Sequence, residues 1–200
     1  MSWRLDPSTT AIVCVECQEG VLGQESILPD LAAAAAPMIG SIARLLDAAR
    51  AAGATVAHAT YEGALGASDH GPAPLWRALG AGAGWKAGDA ATQVLPELLG
   101  PGDLVLPRHH GLNPSAGTEL LPVLRARGAR TLVLAGVSLN VALILLAGDA
   151  AQQGFSVVVP SDAVAATPAE YAEPLLAYSM RMLAKVTTVE QVVAALAPVS

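Results

Sequence analysis

Charge is scarce in this chain. Asp, Glu, Lys and Arg make up 14% of its 200 residues, and no Lys/Arg-rich run occurs. The formal net charge is −6. A nucleic-acid binder needs a basic face to neutralise phosphates, so no nucleic-acid partner is expected. Aromatics are scarcer still, at 4%, so the core must be built from Val, Leu, Ile and Ala. Only two cysteines occur, Cys14 and Cys17, spaced C-V-E-C. Redox pairs of that spacing sit at helix starts. These lie in or at the end of an apparent strand, where alternation sends them to opposite faces and disfavours a disulfide. They read as two buried small hydrophobes. No G-x-G-x-x-G or Walker sequence follows a predicted strand, so no nucleotide or other cofactor is expected. His58, His70, His109 and His110 have no metal-ligand spacing, so no metal is expected either.

A leader segment is also missing from the first nine residues, which carry Arg4, Asp6 and Pro7; a cytoplasmic location is expected. Residues 131–148 lack any charge and approach the roughly 20 residues of a membrane span. Gly136, Ser138 and Asn140 interrupt them, and their first part is β-branched. They read as a buried strand followed by a buried helix, with no membrane contact.

What the chain has in quantity is apolar residues, 53% of the total, enough for one well-filled domain over residues 1–200. Short apolar, β-branched runs predict strands at 10–16, 55–60, 103–107, 131–135, 155–159 and 186–188. Helical spacing predicts helices at 32–52, 75–79, 92–99, 118–127, 140–153, 168–183 and 188–196. Gly53, Gly128 and Gly154 close three of them, and Thr188 with Gln191 caps the last. Regular alternation of strand and helix predicts an α/β fold. Its three layers are a mostly parallel six-stranded sheet with helices on both faces, a Rossmann-like arrangement.

Ligands of such sheets bind beyond the carboxyl ends of the strands, near a switch in strand order. Glu16 ends the first strand. There it is either desolvated, with a raised pKa fit for a general acid, or a structural carboxylate paired with a cation. Arg108, His109 and His110 follow the third strand. His109 could face Glu16 across a pocket, or be a surface histidine beside a turn. The turn from Gly136 through Val137 and Ser138 to Asn140 starts a helix, where backbone N–H groups could hold an anion; an ordinary strand-to-helix turn is the plainer reading. Trp76 and Trp85 could line a pocket or fill the core.

The order of segments resembles the isochorismatase-like hydrolases. A-I-V-C-V-E-C-Q (11–18) is similar to the family's opening strand with its D-x-Q. A-A-T-Q-V-L-P-E-L-L-G-P-G-D-L (90–104) and G-T-E-L (117–120) resemble its next segments. T-L-V-L-A-G-V-S-L-N-V-A-L-I-L-L-A-G-D-A-A-Q-Q-G (131–154) is similar to its strand–turn–helix signature, and Asp162-Ala163 to the segment after it. The resemblance implies a homodimer or homotetramer acting on a small molecule. It also implies a cis peptide at Val137–Ser138, and substrate contacts from Gln18, Arg108, Val137, Ser138 and Asn140.

In the family's amide hydrolases the resemblance implies an Asp, a Lys and a Cys. Those positions fall here on Glu16, His109 and Ala142. Ala142 has no nucleophilic atom, so a thiol amidase is excluded. Two readings follow. One is a hydrolase without a covalent step, like the family's vinyl-ether branch, in which Glu16 protonates the substrate and His109 or Arg108 orients an anionic group or water. The other is an inactive relative that binds a small molecule or serves assembly. A cleft lined by polar groups around Glu16 and His109 fits the first; one filled by Leu139, Leu112 or a Trp fits the second.

Overall fold

The computed structural model describes residues 3–65, 71–79 and 84–197. Six strands form one sheet: β1 (Thr10–Val15), β2 (Thr55–Tyr61), β3 (Leu104–Arg108), β4 (Thr131–Gly136), β5 (Ser156–Pro160) and β6 (Lys185–Thr187). Their spatial order is β3-β2-β1-β4-β5-β6, and every pairing is parallel. The predicted α/β class holds. Parallel strands need crossovers, and these put helices on both faces.

Alternation along β1 divides its side chains between two cores. Ile12 and Cys14 pack with Ile42, Leu45 and Leu46 of α3 (Ile39–Ala52) and with Val189 and Val192 of α8 (Val189–Leu196). Ala11, Val13 and Val15 pack with Leu120, Leu121 and Leu124 of α5 (Leu120–Ala126) and Leu146 of α6 (Ile144–Gln152). Both faces of the sheet are dry along β1, β2, β4 and β5, which is why these strands read as unbroken apolar runs.

Prolines set where the helices depart from expectation. Pro37 lies in a 3₁₀ turn, Ala36–Met38, between α2 (Pro29–Ala35) and α3. The helix predicted at 92–99 is a single 3₁₀ turn, Ala90–Thr92. Pro96 has no N–H for the Thr92 carbonyl and its ring would crowd it; that carbonyl instead accepts from Gln18 Nε2 at 2.7 Å. Residues 169–182 stay helical as predicted, but their hydrogen-bond spacing changes along the run: 3₁₀ at Ala169–Tyr171, α7 (Ala172–Pro174), a π turn Leu175–Ser179 and 3₁₀ at Met180–Met182. Residues 131–148 form β4 and the start of the following helix, as expected. The run Pro29–Ala52 is long and apolar enough to cross a membrane, yet it buries Leu31, Ile42, Leu45, Leu46 and Ala49 against the sheet.

Strand order reverses between β1 and β4, which leave the sheet side by side. Val137 N–H donates to Val15 O at 2.9 Å, and Glu16 N–H to Ala59 O at 2.9 Å. Gly136 has φ 102°, and a Cβ there would sit 2.2 Å from Val15 O. Only glycine lets the two chains run this close.

Candidate active site

Glu16 is the first residue beyond β1 and holds φ 53°, the one non-glycine residue in the left-handed region among the described residues. That conformation costs a carboxylate residue roughly 1–3 kcal/mol and tends to collect at functional sites. It also breaks the two-residue alternation of the strand. Cys14 and Cys17 therefore do not point to opposite faces, as expected, but share one core layer. The Cys17 thiol is pushed well above its ordinary range, first by its hydrogen bond with Cys14 and then by burial. Neither sulfur reaches the cavity described next.

A cavity of about 60 Å³ opens at the carboxyl ends of β1, β2 and β3 and beside the turn after β4. Glu16, Arg108 and Ser138 supply its polar floor, and Ala142 one wall. The rest is apolar or aromatic, including Val21, Leu31, Leu112 and Val141. Tyr61, Trp76 and Trp85 also line it, with Tyr61 centred 5.0 Å from Trp76 and 6.3 Å from Trp85. Gly20 admits Trp85, since a Cβ at position 20 would lie 2.4 Å from the indole ring. Burial pushes the Tyr61 phenol up to about 12, so it stays neutral.

Arg108 ends β3 opposite Tyr61 and is 4% exposed. Its Nη2 donates to Glu16 Oε1, its Nε donates to Gly111 O at 3.1 Å, and its Cζ lies 5.1 Å from the Tyr61 ring centre. Nη1 has no hydrogen-bond partner. The cation that meets Glu16 is therefore Arg108. His109, expected to face Glu16, lies one residue past the strand, bonded through Nδ1 to Gly63 O at 3.0 Å, and is not among the lining residues. The sequence left His109 and Arg108 as alternatives because it does not reveal that β3 runs on through Arg108.

Ser138 lines the cavity just after a cis Val137–Ser138 peptide. The π turn Leu139–Leu143 then carries Ala142 to the wall. The other expected contact residues stand behind the surface. Gln18 is fully buried; its Oε1 accepts from Tyr61 N–H at 2.8 Å, and its Nε2 donates to Tyr61 O at 3.0 Å. It fixes Tyr61 rather than lining the cavity. Asn140 donates from Nδ2 to Thr167 O at 3.1 Å. Val137 is buried in the core with Cys14 and Cys17. Leu139 is buried on the opposite face of the sheet and does not fill the cavity. Among the described residues no group of three or more His, Cys, Asp or Glu side chains is placed to hold a metal.

Residues 10–191 match the isochorismatase domain. The chain belongs to the isochorismatase family. An uncharacterised isochorismatase-family protein of Escherichia coli O157:H7 is 36% identical over 40% of this chain and 43% of its own length. A secreted isochorismatase effector of Verticillium dahliae is 31% identical over 62% of this chain and 57% of its own. The chain thus spans about half the length of these curated relatives. A crystal structure of an isochorismatase-family protein from Desulfovibrio vulgaris superposes with a TM-score of 0.78 at 25% identity, covering 95% of this chain and 99% of that one.

A second ionic cluster was not legible in the sequence. Asp103, before β3, accepts from Arg50 Nη2 at 2.7 Å and lies 3.0 Å from His58 Nε2. It also accepts from Gly100 N–H at 2.9 Å. It lies at the amino end of β3, away from the cavity, and ties α3 to the edge of the sheet. Its members are 45 and 53 residues apart, and no local spacing marks them.

Proposed function

We propose that this isochorismatase-family chain is a small-molecule hydrolase that works without a covalent intermediate, like the family's vinyl-ether branch. The reading is carried by one observation: the Glu16–Arg108 pair floors a largely apolar cavity whose wall at 142 is a methyl group. Arg108 occupies Oε1 of Glu16, so Oε2 is the atom that hands a proton to the substrate and recovers one from the attacking water. Arg108 holds that carboxylate in place, and of the two residues first considered for an orienting role, His109 and Arg108, it is the one in the lining. Water is the nucleophile, because Ala142 supplies none and both sulfurs are sealed in the core. Apolar walls keep bulk water away and strengthen each polar contact on the floor.

The small volume and the three aromatic and leucine walls favour a second reading, an inert binding protein. A panel of amides, esters and vinyl ethers, assayed with the wild type and Glu16→Gln, separates the two. Turnover is expected for the wild type, unchanged by thiol-blocking reagents, and none for Glu16→Gln, with the melting temperature kept within a few degrees. Gln retains an acceptor for Arg108, which is why the fold should tolerate it. Nicotinamide is not expected to react. Absence of turnover across the panel would leave the binding reading; thiol-sensitive amidase activity would defeat both.

A further inference from the structure

One run of the chain presents to solvent the kind of surface a protein normally hides. Tyr171, Pro174, Tyr178 and Met182 follow one another at steps of three, four and four residues along the helical run 169–182, so they share one face. All four are exposed, Tyr171 at 48%, Tyr178 at 78% and Met182 at 79%. The opposite face is already occupied: Leu175 and Met180 are buried in the same core as Val157 and Val159 of β5. A single exposed apolar side chain needs no explanation, but a stripe of four marks a contact surface. Tyr and Met are also types that protein interfaces collect.

Charges flank the stripe unevenly. Glu170 and Glu173 lie near its start and Arg181 near its end, beside an open groove lined by Leu176, Ala177 and Val186. None of the three makes an ion pair among the described residues. Glu173 and Arg181 cannot answer one another within the chain, because the helix between them spans roughly 12 Å. A second copy laid antiparallel can answer them. With a two-fold axis near Leu176 and Ala177, Glu173 falls opposite Arg181 of the second copy, Tyr171 opposite its Met182, and Pro174 opposite its Tyr178. Symmetry makes each pairing twice. One axis thus serves the apolar stripe and the charges together. A parallel pairing would instead set Glu against Glu and Arg against Arg.

We propose that the helical run 169–182 is the contact face of a homodimer. Two copies meet antiparallel through Tyr171, Pro174, Tyr178 and Met182, and Glu173 and Arg181 fix the orientation. The apolar seam supplies the affinity, while the flanking charges choose the register. The family resemblance implied association but named no face for it. None of these residues lines the cavity at Glu16, so the dimer stands or falls independently of the hydrolase reading.

Sedimentation velocity of the full chain at micromolar concentration should show a dimer, twice the 20.2 kDa of one chain. Tyr178→Glu should weaken association at least about tenfold, by burying an unpaired charge in the seam. Arg181→Glu and Glu173→Arg should each weaken it as well, since each creates two like-charged contacts per dimer. An equimolar mixture of those two variants should recover the dimer, because the mixed pair alone restores both contacts. A change confined to the fold of one chain would give no such recovery. All three positions are exposed, so the variants are expected to fold. Should one not fold, amide exchange in the wild type decides, slowing over residues 171–182 as protein concentration rises. A tetramer that the variants reduce to smaller species supports the same face. A wild-type monomer, an oligomer that the variants leave intact, a mixture that fails to recover, or exchange independent of concentration overturns it.

Discussion

Arg108 and Glu16 depend on each other more than either depends on its surroundings. Glu16 is 13% exposed and Arg108 4%, so removing one partner strands the other out of water. Arg108→Met, which keeps the bulk and leaves Glu16 no donor, should lower stability by about 3–5 kcal/mol, measured by urea unfolding. A loss below 1 kcal/mol would mean that the pair is effectively solvated. His58 makes a different prediction. Burial lowers its pKa more than its contact with Asp103 raises it, so the folded state resists protonation. Its folded pKa lies below its unfolded value, so its contribution is intact above about pH 6.5 and is lost as pH falls. Burial works against the Asp103 carboxylate too, but hydrogen bonds from Arg50, His58 and Gly100 outweigh it and hold the carboxyl below its ordinary range. Its loss comes only in stronger acid. Unfolding free energy should therefore fall between about pH 7 and 5 in the wild type, and this slope should flatten in His58→Gln. A slope that persists unchanged would place the titrating group elsewhere.

Elements reveal what a one-dimensional reading can reach. All six strands were legible to within a residue or two, because a sheet whose inner strands are dry on both faces writes them as short β-branched runs, and the edge strands β3 and β6 keep the same composition. The start of α8 was legible as well: Thr188 Oγ1 accepts from Gln191 N–H at 3.3 Å, a purely local arrangement. The irregular stretch at 90–99 was not, since apolar spacing continues across Pro96 while the helix does not, and at 168–183 the helix was legible but its changes of hydrogen-bond spacing were not. Within the site, Glu16, Arg108, Ser138 and Ala142 were all singled out beforehand and all line the cavity. The choice between His109 and Arg108 as the partner of Glu16 stayed open in the sequence, and the orientation of Cys17 was misjudged, because each depends on a backbone detail with no local signature. Gly136 belongs to this scale too. Gly136→Ala forces a Cβ against Val15 O at φ 102°, and should destabilise by more than about 1 kcal/mol, beyond the usual cost of alanine at positive φ. Unchanged thermal unfolding would show that β1 and β4 can part here at no cost.

At the scale of the molecule, one reversal of strand order explains where everything useful lies. β1 feeds α2 and α3 on one side, the chain recrosses to β4, and the two strand ends open a cleft into which β3 delivers a guanidinium and β2 a phenol. The scaffold is shared across the family; the chemistry rests on a few side chains projecting from it. Here a carboxyl group and a guanidinium face one another where the resemblance would have placed a thiol as well.

The two sulfurs offer an unplanned instrument. Cys14 and Cys17 sit at 1% and 2% exposure, in the central strand and its continuation, with helices above and other strands on either side. A modifying reagent reaches Cys14 only when the middle of the sheet comes apart, and Cys17 when the segment around Leu95, whose N–H donates to Cys17 O at 3.0 Å, lifts away. The pace at which Cys14 is trapped is thus a clock for the deepest opening of the protein, and the pace at Cys17 a second clock for the release of one surface segment, both ticking without any engineered probe.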